Sequence, residues 1–264
     1  MSNQPFVGIC GVRDSAEFTA LLHRAPLILE NSGHFIMAGV KEVSDELMIR
    51  GKFDMVRPFV HCDFTGQEPF EKIVERNIYR SRHFVRGLQL NVLPWMEIDF
   101  SPLWNKLKQQ YPDMALILQA HRIIMEKYTP KQIVARLYGL SVDYILFDSS
   151  QSRGVAYDPN SMRFYVDAVC KERITQEVVV AGGLDGAAMG SLFAPLVQDY
   201  PALSCDAFGR LQDPVTQTLS WPRIDDYLAA WKGSLSLSPD VESSHSNLRL
   251  VKSLARGFVS FTQH

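Results

Sequence analysis

Two polar residues interrupt apolar stretches where packing alone does not call for them: Cys10 in VGICGV and Asp148 in YILFDSS. A thiol and a carboxyl can serve as general base and general acid in a proton transfer, with pKa values set by burial and neighbours. Each also has a plainer explanation, because free cysteine is often a small core residue and aspartate often a helix cap or turn residue. A third stretch, AGGLDG at 181–186, follows the apolar run EVVV and precedes a second apolar segment. A glycine-rich passage from strand to helix turns backbone N–H groups outward at a helix start, where the dipole favours an anion such as phosphate. Such passages are also often only turns.

These residues can cooperate only if the fold brings them together. Apolar runs bounded by turn residues fall at 6–12, 26–30, 57–63, 87–93, 114–120, 142–148, 177–183 and 202–208. Helix signals lie between them: Asp14 as N-cap with Glu17 three residues later, EPFEKIVERNIYRSRH, Ser101 as cap of SPLWNKLKQQY, PKQIVARLYGL, DPNSMRFYVDAVCKER and DGAAMGSLFAPLVQDY. The runs are almost continuously apolar, as strands buried on both faces are. Eight such strands alternating with helices over about 250 residues is the pattern of an α/β fold of the (β/α)8 TIM-barrel type. A doubly wound open sheet competes with it, but no GxGxxG follows the first strand. The second strand is open between PLILE at 26–30 and HFIMAGV at 34–40.

The barrel is expected over 1–234 as a single domain, closed by the helix at 220–233. A polar linker and a C-terminal helical tail are expected over 235–264, where Leu250, Leu254 and Phe258 recur at i, i+4, i+8, a stripe suited to packing on the barrel or on a partner. Catalytic groups in such barrels stand at the C-terminal strand ends. That rule selects Cys10, Glu30 or His34, Asp63, Asn91, Gln119 with His121, Asp148, the glycines at 182 and 183, and Cys205 with Asp206. His61, Cys62 and Asp63 are adjacent in a strand and point to alternating faces, so they cannot all ligate one ion, and no metal is expected.

Among 264 residues, 46% are hydrophobic and 21% charged, with a net charge of -2. This is an ordinary soluble composition whose bulk electrostatics give no reason to expect a nucleic-acid partner. The four cysteines form no metal-ligand or disulfide-scaffold spacing, and no run approaches the length of a membrane span. A reduced, cytoplasmic setting without a membrane partner is the expectation, with oligomeric state left open.

In ICG at 9–11, QL at 89–90, ILFDS at 145–149 and AGGLDG at 181–186, the chain resembles the phosphoribosylanthranilate isomerase family of tryptophan biosynthesis, over roughly residues 6–233. The resemblance implies a cofactor-independent Amadori rearrangement, an aldose–ketose isomerisation of a phosphorylated sugar amine. It makes Cys10 the base that removes the proton from sugar C2 and Asp148 the acid that protonates the ring oxygen. Substrate and phosphate contacts would fall to Gln89, Arg153, Gly154, Gly182, Gly183, Asp206, Gly209 and Arg210. Several positions depart from the family pattern. Gly8 stands where the family has lysine, SSQSRGVAYD keeps only Gly154 of a glycine-rich phosphate loop, and the eighth strand reads Cys205-Asp206-Ala207-Phe208-Gly209 without the expected serines. The serine-and-arginine motif expected after the second strand is missing unless Ser32 and His34 replace it. Arg153 and Arg210, beside the altered loops, could hold phosphate by charge instead of by backbone amides. The alternatives are a diverged barrel enzyme with another substrate and a non-catalytic binding relative.

Overall fold

The computed structural model describes residues 4–41, 43, 54–64, 66–150, 155–172 and 174–236. Among them run eight strands: β1 (Phe6–Val12), β2 (Phe35–Val40), β3 (Val56–Asp63), β4 (Gly87–Asn91), β5 (Ala115–His121), β6 (Tyr144–Asp148), β7 (Glu177–Ala181) and β8 (Ser204–Ala207). They pair in chain order, all parallel, and β1 pairs with β8 to close the barrel. Helices on the outside cover it, so the strands are buried on both faces and read as continuous apolar runs.

The second strand is HFIMAGV, and PLILE is the end of the helix Ser15–Leu29. Pro26 reads as a breaker because it removes an interior hydrogen bond. Packing outweighs that loss, since Leu21, Ala25 and Leu29 are all buried at i, i+4, i+8 on the core face. Asp14 caps this helix by accepting from the Glu17 N–H, as expected. Glu30 is therefore a helix C-cap and not a strand end. His34 precedes β2 at the barrel's N-terminal rim, with Nδ1 on the Ser32 carbonyl and its ring edge-on to Trp231. Ser32 and His34 thus lie at the wrong end to replace a motif after the second strand, and the residue that follows β2 at the mouth is Lys41. Ser101 is the first helical residue of Ser101–Gln110 rather than its cap, and it donates to Asp99.

Alternation along each strand fills the interior in layers. Phe6, Phe35, Phe59 and Tyr144 pack at the lower end, with ring centroids 5.4 Å apart for Phe6 and Phe35 and 5.3 Å for Phe6 and Tyr144. Met37, Ile117, Leu146 and Val179 join them in the same interior cluster. Above these the inward positions become polar: Cys10, His61, Gln89, Asn91, Gln119, Asp148 and Asp206. The closing helix is Trp221–Ser236. The expected tail helix, with Leu250, Leu254 and Phe258, lies outside the described residues. No described helix is long and apolar enough to cross a membrane.

If the aromatic layer carries the barrel's stability, Phe6→Ala should lower the unfolding free energy by about 3–5 kcal/mol in a urea titration. A loss below about 1 kcal/mol would mean that the layer is not the packed floor described here.

Candidate active site

Cys10, Gln89, Asp148, Gly182, Gly183, Asp206, Gly209 and Arg210 border one cavity at the C-terminal mouth, together with Lys41, His61, Asn91, Gln119 and Phe208. Arg153 and Gly154 lie outside the described residues. The cavity encloses about 40 Å³, room for roughly three waters. Over it Phe208 lies against Gly11, where a Cβ would come within 2.7 Å of the ring, and the Lys41 ammonium stands 3.5 Å from the ring centroid.

The Cys10 thiol is held on two sides. It donates to Asp206 Oδ1 at 3.0 Å, and His61 Nε2 lies 3.3 Å from the sulfur. Two glycines make this possible. A Cβ at Gly39 would stand 2.5 Å from the sulfur and 2.8 Å from His61 Nε2, and a Cβ at Gly8 would overlap the Asp206 carboxylate. Glycine at position 8 thus opens the space that Asp206 fills.

The hydrogen-bond pattern around His61 assigns its tautomer. Asn91 Nδ2 donates to Asp63 Oδ1 at 2.8 Å, which fixes the nitrogen end of that amide, and the same nitrogen lies 3.3 Å from His61 Nδ1. Nδ1 therefore accepts, and Nε2 carries the proton that points at the sulfur. Burial keeps the ring neutral by pushing its pKa down. Alternation sends Cys62 to the opposite face, where Asn77 donates to it.

Across the mouth, Asp148 Oδ2 accepts from Gln119 Nε2 at 3.0 Å, and Oδ1 accepts from the Ser150 N–H and hydroxyl at 2.9 and 2.8 Å. Gln119 Oε1 in turn accepts from the Val92 N–H at 3.0 Å. Val92 has φ +56, a strained conformation for a β-branched residue, at the turn that leaves β4.

Burial is also the main force on the titrating groups at Cys10. It pushes the thiol well up, with the Asp206 charge adding to the effect, and it raises Asp206 to about 7 against the hydrogen bonds donated by Cys10 and Gln89. At neutral pH the pair is a thiol donating to a carboxyl poised between its two states. Asp206, expected among the substrate contacts, borders the cavity and also accepts directly from Cys10. Sequence reasoning set His61 aside with the metal question; the signal that could have found it is its inward parity on β3, in line with Phe59.

The AGGLDG glycines have backbone reasons. Gly182 and Gly183 have φ +118 and +66, and a Cβ at Gly183 would come within 2.5 Å of the Ala156 backbone. Asp185 caps the following helical segment by accepting from the Ala188 N–H, and its other oxygen pairs with Arg210 at 3.0 Å. A carboxylate therefore already sits at the helix start, and Arg210 is shared with it.

Comparison with solved structures supports the fold. The chain is similar to the crystal structure of phosphoribosyl anthranilate isomerase from Thermus thermophilus, at 15% identity and a TM-score of 0.52, over 86% of this chain and 98% of that one. Phosphoribosyl anthranilate isomerase from Thermococcus kodakaraensis matches at 15% identity and 0.49, over 86% and 98%. The putative copper homeostasis protein CutC from Streptococcus agalactiae matches at 12% and 0.48, over 76% and 97%. No family model matches the chain, and no curated protein does. At these identities the likeness speaks for the barrel alone.

The raised Asp206 pKa has a measurable consequence. Its folded value of about 7 exceeds the unfolded value, which is about 3.9. The stability it contributes is therefore complete below pH about 4 and is lost as pH rises through about 7, a fall on the order of 4 kcal/mol at most. Urea unfolding between pH 4 and 7.5 should show wild type losing stability relative to Asp206→Asn. A difference that stays flat with pH would contradict the burial described.

Proposed function

We propose that the protein is a cofactor-independent acid–base isomerase of the phosphoribosylanthranilate isomerase type, converting an N-linked aldose phosphate into a 1-amino-1-deoxyketose. The observation that carries this reading is the Cys10 thiol, bonded to Asp206, bordering one cavity with Asp148 at the barrel mouth.

The chemistry divides between the two sides. Asp148 gives a proton to the ring oxygen as the C1–O bond breaks, leaving an iminium at C1. The C2 proton then passes to the Cys10 sulfur while the thiol's own proton passes to Asp206, and the C2–H electron pair becomes the double bond of an enolamine. Tautomerisation of that enolamine gives the ketone. One proton is given and one taken, so the sum is an isomerisation. Because burial keeps Cys10 protonated, the sulfur can accept only if Asp206 is ionised, and the N–H of His61 steadies the charge that develops on it. The glycine rim at 182, 183 and 209 supports an anionic end for the substrate, with Arg210 shared between ligand and Asp185.

A second reading, a barrel enzyme using the same pair on another substrate, draws support from the Arg210–Asp185 pair and from the Phe208 and Lys41 cover over a small cavity.

Freshly generated phosphoribosylanthranilate, followed by loss of its fluorescence, separates the two. Turnover is expected to rise with pH through about 7, where Asp206 ionises, and to fall roughly 10²- to 10⁴-fold in Cys10→Ala and in Asp148→Asn. No turnover by folded wild-type protein would favour the second reading, and turnover unchanged in both variants would remove the acid–base assignment.

A further inference from the structure

Resting on the reading of the site as one for a sugar, the geometry points to Gln89 and Asn91 as a docking pair for two neighbouring hydroxyl groups of the ligand. Both stand on β4, two residues apart, and so face the interior together. Their Cα atoms are then about 6.6 Å apart along the strand, and the lower residue, Gln89, has the longer side chain. Both residues border the cavity and are more than nine-tenths buried, at 3% and 6% exposure.

Most of the amide donors of this pair are already committed. Gln89 donates to Asp206, and the two hydrogens of Asn91 go to Asp63 and towards His61 Nδ1. The carbonyl oxygens are not committed: Gln89 Oε1 and Asn91 Oδ1 are buried acceptors without a hydrogen-bond partner. A buried acceptor left unsatisfied is costly, and native structures rarely carry two side by side without a use for them. The neighbouring Asp148 and Asp206 carboxyls add further acceptors on the same cavity. This wall therefore accepts hydrogen bonds and offers few, which suits hydroxyls and repels a ligand carboxylate.

The opposite side of the mouth has the reverse character, with the glycine rim and Arg210. A ligand with a hydroxyl pair at one end and an anion at the other matches both sides. Any aromatic or other N-substituent would then be directed out towards Phe208 and Lys41.

The test is a binding measurement that needs no turnover. The probes are D-ribose 5-phosphate and 2-deoxy-D-ribose 5-phosphate, with methyl β-D-ribofuranoside and methyl 2-deoxy-β-D-ribofuranoside, both locked in the furanose ring, as the same comparison free of phosphate. Every adjacent hydroxyl pair on the ribofuranose ring includes the one at C2, so the deoxy sugar lacks them all. Wild-type protein should bind the ribose form of each pair roughly 10-fold or more tightly than the deoxy form. That ratio should shrink to within about 3-fold in Gln89→Met, which keeps the shape and removes the carbonyl. Asn91→Leu, which removes the other carbonyl without setting a charge against Asp63, should shrink the ratio likewise if Gln89→Met proves unstable. Equal affinity for the two sugars in both pairs, undetectable binding included, would overturn the docking pair. Discrimination without any isomerisation would uphold it while removing the isomerase reading on which it builds.

Discussion

Closure of the barrel between β1 and β8 sets Gly8 opposite Asp206 in register, and from that pairing the rest of the mouth follows. The chain brings together residues 196 positions apart, and the contact they make is a thiol donating to a buried carboxyl. Removing a carboxylate from water is costly unless it is hydrogen-bonded, and here Cys10 and Gln89 supply donors. Glycine at position 8 is the steric condition for the contact, because any side chain there would occupy the carboxylate's place. The glycine on β1 and the inward aspartate on β8 therefore depend on each other sterically.

The period-2 alternation of strands does the remaining sorting. It divides each strand's residues between the helices outside and the barrel interior, and the interior changes character along the axis. Phe6, Phe35, Phe59 and Tyr144 form an aromatic floor, with the Tyr144 hydroxyl donating to the Gln4 carbonyl. The next positions up carry thiol, imidazole, amides and carboxyls, each oriented by a neighbour on another strand. Apolar packing and polar side chains are thus separated by height within one closed sheet, and Cys10 sits at the boundary between them.

The fold was legible in the sequence because buried parallel strands leave continuous apolar runs, and seven of the eight runs fall on the observed strands. The eighth was ambiguous for a physical reason: Pro26 imitates a helix end, and only the tertiary burial of Leu21, Ala25 and Leu29 shows that the helix continues past it. Cys10 and Asp148 were visible as polar residues at apolar strand ends. The role of Asp206 was not, since a one-residue shift along β8 decides whether a side chain faces Cys10 or the outer helices, as its neighbour Cys205 does by bonding Tyr227. His61 was hidden by its place beside Cys62 and Asp63, where the cluster suggested a metal question instead of a partner for sulfur. The reading of AGGLDG as a phosphate turn could not anticipate that Asp185 would pair with Arg210.

The central claim is that Asp206 is a buried carboxyl poised near neutrality by its place against Cys10. The direct measurement is a carbon-13 NMR titration of the Asp206 side-chain carboxyl in the intact protein, assigned with Asp206→Asn. The account predicts a midpoint at about 7. A midpoint near the usual value of about 3.9 would contradict it, because burial with so few hydrogen-bond donors must raise the carboxyl above that value.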